Sequence, residues 1–393
     1  MSSTRAPRRH SYRWTILSAG VFAQAANSAV LLGLPAIAPA VRHAFGLTLP
    51  QVGVVLAAVN FGAVATLLAW GIVADRIGER SVIALCQTGA GAALLWAAYS
   101  SSFGELVIAL SVTGGLGAGV NAASGRAVMS WFSPDERGFA LGIRQMAVPL
   151  GGAVAALVLP ALADHISLHA AFDGLAVASF AAALVGALFI RTEPQEEEGH
   201  SVLQSPLRDR RVWRICFASI FYVAAQLSLI GFFVLFLHDR RNVSTGVAAG
   251  ALAATQVLGG VVRILVGRLS DRLRLRIVLL RWIALGIAVT LGLTAVLVDA
   301  AVWIVIPSIV AAGTFALSWN GLSFTATAEA AGPARSGAAL GLQQSFLSAG
   351  AIVAPISFAA VVHHGSWRLA FLLAAASPLV GYALLSPLAE RRP

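Results

Sequence analysis

Apolar runs of about 20 residues, each closed by short polar punctuation, recur from one end of this chain to the other. As an α-helix, a run of that length matches the hydrocarbon core of a bilayer. Inside lipid a backbone must satisfy its own polar groups, which leaves helices or closed barrels. No segment alternates apolar and polar residues as a barrel strand does. The pattern predicts an all-α membrane protein with twelve spans. They fall at 13–41, 49–74, 80–99, 104–131, 136–163 and 169–190, then at 210–239, 244–268, 275–298, 301–328, 334–363 and 366–388. Only 11% of residues are charged, against about a quarter in a soluble domain. The surplus apolar surface needs lipid to face. The basic start (Arg5, Arg8, Arg9) followed by an apolar run resembles a signal peptide. The run from Trp14 to Val41 is too long for one and lacks a clear cleavage site, so it is read as the first span.

All 27 basic residues are arginine. With the N-terminus inside, 20 fall in cytoplasmic segments, four in outer loops (Arg42, Arg240, Arg241, Arg368) and three within helices. This is the positive-inside bias of membrane proteins. It explains the net charge of +10 as a topology signal, with no nucleic-acid partner. It predicts an integral protein of the bacterial inner membrane with both termini cytoplasmic. Cys86 and Cys216 are single, lie in predicted helices and lack metal-ligand spacing, so they read as apolar fillers. No metal and no cofactor are expected.

The stretch Gly71-Ile-Val-Ala-Asp75-Arg76-Ile-Gly78-Glu79-Arg80 follows the second apolar run. A second version, Gly267-Arg-Leu-Ser-Asp271-Arg272-Leu-Arg-Leu-Arg276, follows the eighth, with Arg274 in place of the second glycine. The two halves align at a shift of 199 residues over most of their length. Trp14 falls on Trp213, Asn27 on Gln226, Asn121 on Asn320, and Ala140-Leu-Gly-Ile-Arg-Gln145 on Ala339-Leu-Gly-Leu-Gln-Gln344. The decapeptides need a shift of 196, so the loop between spans one and two differs by three residues. Such internal repeats mark transporters built from two six-helix halves. The expected organisation is a bundle at 1–190, a polar, Pro-containing linker at 191–209 and a second bundle at 210–393.

The paired decapeptides resemble the loop signature of the major facilitator superfamily of secondary transporters. The resemblance implies two pseudo-symmetric six-helix bundles, a monomer, and alternating access to a substrate site between the halves. It also assigns gating roles to Asp75, Arg76 and Arg80 and to Asp271, Arg272 and Arg276. Arg126, near the end of the fourth span, is a further gating candidate, with structural pairing to loop carboxylates as its alternative. The stretch Gly114 to Asn121, continued through Trp131 and Gly142 to Gln145, is similar to the nitrate/nitrite and organic-anion porter branches. The nitrate branch places an arginine in the second span, and residues 49–74 hold none, which speaks against nitrate itself. Pro149-Leu-Gly151-Gly152 partly resembles an exporter motif.

Intramembrane charges are expensive and usually functional. Arg144 lies about two turns inside the fifth span, and Arg263 more than a turn inside the eighth. By resemblance these spans face each other across the halves, and a guanidinium fork suits carboxylates and similar oxyanions. Arg263 could instead bond helix-end carbonyls or snorkel to the interface. All 17 carboxylates map to loops or span ends, so the deep acid expected of a proton-driven exporter of cations is not seen. A polar lining is expected from Gln24, Asn27, Asn60, Asn121, Gln145, Tyr222, Gln226, Gln256, Trp319, Asn320, Gln343 and Gln344, although buried amides also glue helices together.

The leading expectation is therefore a transporter of a small, anionic solute, with a coupled proton or counter-anion as candidate co-substrate. An exporter of neutral or amphipathic compounds is the alternative. An enzyme is not expected, because the spans hold neither a nucleophile–base set nor a metal cluster.

Overall fold

The computed structural model describes residues 6–132, 134–191, 209–332 and 336–390. Every regular element among them is helical. Twelve helices are long and apolar enough to cross a membrane. They run Tyr12–Ala36, Leu49–Thr66, Arg76–Ala98, Phe103–Trp131, Gly142–His165 and Leu168–Phe189, then Arg210–Arg240, Thr245–Leu273, Ile277–Val296, Val302–Ala331, Ala339–His364 and Trp367–Leu385. They are numbered as spans one to twelve below.

The departures from the expected spans have local causes. The first span was read through to residue 41. Its helix stops at Gly33, passes through a 3₁₀ turn at Leu34–Ala36 and resumes as Ala38–Ala44. Pro35 and Pro39 each lack the N–H that a continuing helix needs. The tenth span is two helices, Val302–Ala316 and Asn320–Ala331, separated at Leu317 to Trp319. The seventh ends in a π-helical turn, Phe236–Arg240.

The first decapeptide is expected as a loop. Two helices, together covering Leu49–Ala98, meet there across a kink at Gly78, with φ 77° and ψ 165°. In the second copy the helix ends at Leu273 and Arg274 adopts the left-handed conformation, φ 54° and ψ 34°. Gly78 and Arg274 correspond at the 196-residue shift. Both copies turn at the same place, one with the residue suited to it and one without.

The chain forms two compact units. The first comprises Met1–Leu34 and Ala58–Glu198; the second comprises Pro35–Ala57 and Gly199–Pro393. The segment Pro35–Ala57 thus belongs with the second unit, which a division into sequence halves does not convey. Gly53 accounts for part of this: a Cβ there would stand 2.7 Å from the Pro355 carbonyl oxygen, so only glycine permits that approach to the eleventh span. The expected linker lies outside the described residues except at its ends.

Within the first unit the fourth span packs closely on the second and third. A Cβ on Gly114 would stand 1.9 Å from the Val59 carbonyl oxygen, and one on Gly119 would stand 2.5 Å from Cys86 Sγ. Thr66 Oγ1 and Trp70 Nε1 both donate to the Gly115 carbonyl, at 2.6 and 2.7 Å. The glycine-rich stretch therefore brings backbones into contact, as small residues do between membrane helices. The repeat extends to helix caps. Ser167 accepts from the Ala170 N–H and Ser366, 199 residues later, from the Leu369 N–H, both at 3.1 Å.

Candidate functional site

Arg144 is 5% exposed on the fifth span. Its Nε donates to Ser124 Oγ at 3.0 Å and its Nη1 to Gln145 Oε1 at 3.3 Å. Its Nη2 reaches Gln24 Oε1 at 3.0 Å, the Asn121 carbonyl at 2.7 Å and Asn121 Oδ1 at 2.5 Å. The acceptors come from the first, fourth and fifth spans of the first unit, and all are neutral. No carboxylate among the described residues pairs with this guanidinium. Of its five N–H groups, one Nη1 hydrogen is left without an acceptor among the described residues. Gly125 leaves room beside it, since a Cβ there would stand 3.8 Å from Cζ.

The second unit repeats this knot without the charge. Gln343 corresponds to Arg144 at the 199-residue shift, and Ser323 to Ser124. Gln343 Nε2 donates to Ser323 Oγ at 2.7 Å and to Ser219 Oγ at 3.0 Å, and the two hydroxyls lie 2.9 Å apart. Ser219 stands where the first unit has Gly20. One set of positions therefore holds a guanidinium in one unit and a neutral amide–hydroxyl cluster, with Gln343 Oε1 left unpartnered, in the other.

The remaining expected site residues separate into groups. Arg263 donates through Nε and Nη2 to the Leu317 carbonyl, at 3.1 and 2.9 Å. It holds the break in the tenth span, the carbonyl-bonding role left open above. Trp319 and Tyr222 are 0% and 1% exposed, with ring centroids 5.4 Å apart, and Trp319 Nε1 donates to Gln226 Oε1 at 3.1 Å. These three form one buried cluster inside the second unit. Gln256 is fully buried with neither amide atom bonded, and Asn320 Oδ1 is likewise unpartnered. In the first unit Asn27 presses its Oδ1 against the fourth span, 2.2 Å from where a Cβ on Gly117 would lie. Asn60 and Gln344 are half-buried on their helices and join neither cluster. Of the expected polar lining, Gln24, Asn121 and Gln145 meet Arg144.

The decapeptides are tied to their own units with opposite polarity. In the first, Glu79 is 5% exposed and its Oε1 lies 3.8 Å from Arg126 Nε on the fourth span. In the second, Arg276 bridges Asp271 Oδ1 at 2.6 Å and Glu329 Oε1 at 3.0 Å, with Ser270 Oγ at 2.8 Å. The loop supplies the acid in one unit and the base in the other. Burial alone would lower the Arg276 pKa, but Glu329 and Asp271 more than offset it and raise it above the ordinary arginine value. Arg76, Arg80 and Arg272 are exposed, and the side chain of Asp75 lies outside the described residues.

The profile described as Major Facilitator Superfamily matches residues 16–355, most of the chain. The chain belongs to the major facilitator superfamily. Consistent with that membership, it is 33% identical over 402 residues to the "Uncharacterized MFS-type transporter Rv2994" of Mycobacterium tuberculosis, covering 99% of this chain and 89% of that protein. It is 26% identical to the "Probable sulfoacetate transporter SauU" of Cupriavidus necator, covering 89% and 87%. The crystal structure of a bacterial homolog of the human lysosomal transporter Spinster, inward-facing and unoccupied, superposes with a TM-score of 0.80 at 16% identity, covering 98% and 97%. That likeness supports the fold. Membership makes this an integral membrane transporter rather than an enzyme.

Within this facilitator chain, Glu79, Ser124 and Ser323 are site residues that the sequence reading does not single out. Glu79 lies inside the signature decapeptide. The two serines match at the same shift, so the repeat carried the signal for them too. No periodicity could show which hydroxyl a guanidinium would reach.

Proposed function

We propose that this facilitator-superfamily chain moves a small organic anion by alternating access, with Arg144 as its anchor in the first unit. The observation that carries the reading is a buried guanidinium held only by amide, hydroxyl and carbonyl oxygens. Desolvating an unpaired charge costs several kcal/mol. Arginine does not shed its proton to escape that cost. Gln24, Asn121 and Ser124 orient the fork without cancelling its charge, so an incoming carboxylate or sulfonate completes the pairing. The relative named for sulfoacetate, a compound carrying both groups, fits this chemistry. In the same reading Arg263 positions Trp319 and Asn320 by holding the helix break, and the Glu79–Arg126 and Arg276–Asp271–Glu329 contacts act as gating ties. The bundles 1–190 and 210–393 joined by 191–209, and placement in a bacterial inner membrane as a monomer, belong to the proposal as well.

The test is flux into proteoliposomes of labelled sulfoacetate and a panel of other carboxylates and sulfonates. Arg144→Gln keeps an amide donor, as at Gln343 in the second unit, and removes the charge. It should lower anion flux at least about tenfold, since losing one charge-assisted contact costs roughly 1.5–3 kcal/mol. Arg144→Lys, which keeps the charge but loses the fork, should retain part of it. Undiminished anion flux in Arg144→Gln, or wild-type transport confined to neutral compounds, would overturn the reading.

A further inference from the structure

Four arginines break the bias that gathers the others on one side: Arg42, Arg240, Arg241 and Arg368. All four belong to the second unit, at the end of its helices away from Asp271 and Arg276. Two of them make local ties. Arg42 pairs with Asp239 and reaches the Leu47 carbonyl through Nε at 3.3 Å, and Arg241 donates to the Ala300 carbonyl.

The other two share one carboxylate. Arg240 Nη2 lies 2.7 Å from Asp299 Oδ1, and Arg368 Nη2 lies 3.2 Å from Asp299 Oδ2. The three side chains are 49%, 54% and 50% exposed, so their ion pairs add little stability. Together they keep a net positive charge, and they line a cavity of about 520 Å³. Its other walls include the apolar side chains of Leu49, Val298, Val362 and Trp367. The cavity also takes in the start of the 19-residue helix Trp367–Leu385. Ser366 satisfies the N–H groups of Leu369 and Ala370, which leaves those of Trp367 and Arg368 as first-turn donors at the positive end of the helix dipole. Arg240 itself closes the π turn of the seventh span, a local rewinding often found at functional sites.

We infer that this cavity is a second binding site, for an organic monoanion with a small apolar body, such as a carboxylate or sulfonate. Arg240 and Arg368 hold the charged group, the first turn of the twelfth span adds N–H donors, and Trp367 and Val362 cover the apolar part. The site lies wholly within the second unit and does not depend on the role proposed for Arg144.

The experiment uses the full chain in lipid nanodiscs, labelled with 5-fluorotryptophan and followed by fluorine NMR. The Trp367 signal is identified by its loss in Trp367→Phe. Benzoate should shift that signal saturably, and the neutral isostere benzamide should not. Arg240→Gln and Arg368→Gln should each weaken benzoate binding about tenfold, the effect of one lost charge-assisted contact. Asp299→Asn should strengthen it, because it frees both guanidinium groups with little change of shape. A merely structural bridge predicts the opposite, with Asp299→Asn loosening the cavity and weakening any binding. Arg144→Gln should leave the Trp367 response unchanged, which separates this site from the one in the first unit. Equal shifts with benzoate and benzamide, no shift with benzoate, or weakening by Asp299→Asn would overturn the inference. These readings need no arginine variant to fold.

Discussion

At the scale of single residues, the molecule uses its repeat to place unlike chemistry on like positions. Arg144 and Gln343 occupy matching sites, each bonded to a matching serine. Gly20 and Ser219 then decide how much space remains, since the serine fills with a hydroxyl what the glycine leaves open. The turn residues tell a similar story. Gly78, at φ 77° and ψ 165°, occupies a region open to glycine and little else, whereas Arg274, at φ 54° and ψ 34°, sits in the left-handed region that any residue can enter at some cost. Gly78→Ala should therefore destabilise the chain by about 1–3 kcal/mol. Arg274→Gly should be neutral or stabilising by up to about 1 kcal/mol. Thermal unfolding of the detergent-solubilised variants distinguishes the two, and equal destabilisation would show that the turns are not equivalent. Arg144 was legible in the sequence because a charge inside an apolar run stands out. Its partners were not, because which of several amides meets a guanidinium depends on helix rotation that composition does not encode.

At the scale of elements, glycine spacing carries the packing and proline carries the breaks. The helix Phe103–Trp131 contains both a crowded and an open glycine, which makes it its own control. A Cβ on Gly114 would overlap the Val59 carbonyl oxygen at 1.9 Å, while one on Gly104 would meet nothing within 4 Å. Gly114→Ala should cost at least about 1–3 kcal/mol, because backbone rather than a flexible side chain must move. Gly104→Ala should be neutral or slightly favourable through helix propensity. Equal melting temperatures for the two variants would contradict the close approach of the second and fourth spans. The same contrast explains what was readable. Twelve helices follow from apolar length alone, but a reading that carries the first span to residue 41 misses the break at Pro35 and Pro39. The break at Leu317 to Trp319 carries no proline, and Pro307 lies well before it inside a continuing helix. A half-buried arginine holding the Leu317 carbonyl makes that interruption tolerable, and such a contact is tertiary.

At the scale of the whole molecule, charge placement is the last feature to put to the test. Arginine alone supplies the basic residues, and the sequence concentrates them in segments that alternate with almost arginine-free ones. Translocation retains such segments on the cytoplasmic side. The turn after the third span and the turn after the eighth should therefore face opposite compartments. Ser101 and Arg274 are exposed residues in those two turns. The native Cys86 and Cys216 are both buried, so they should contribute little background to thiol labelling. In intact cells, a membrane-impermeant maleimide should label Ser101→Cys and leave Arg274→Cys unlabelled until the membrane is opened. The reverse pattern would invert the topology. It would also move the cavity beside Arg240 and Arg368 to the cytoplasmic side, where the exception those arginines make to the charge bias would become the rule. Labelling of both positions from outside would require an even number of crossings between two turns that five spans separate.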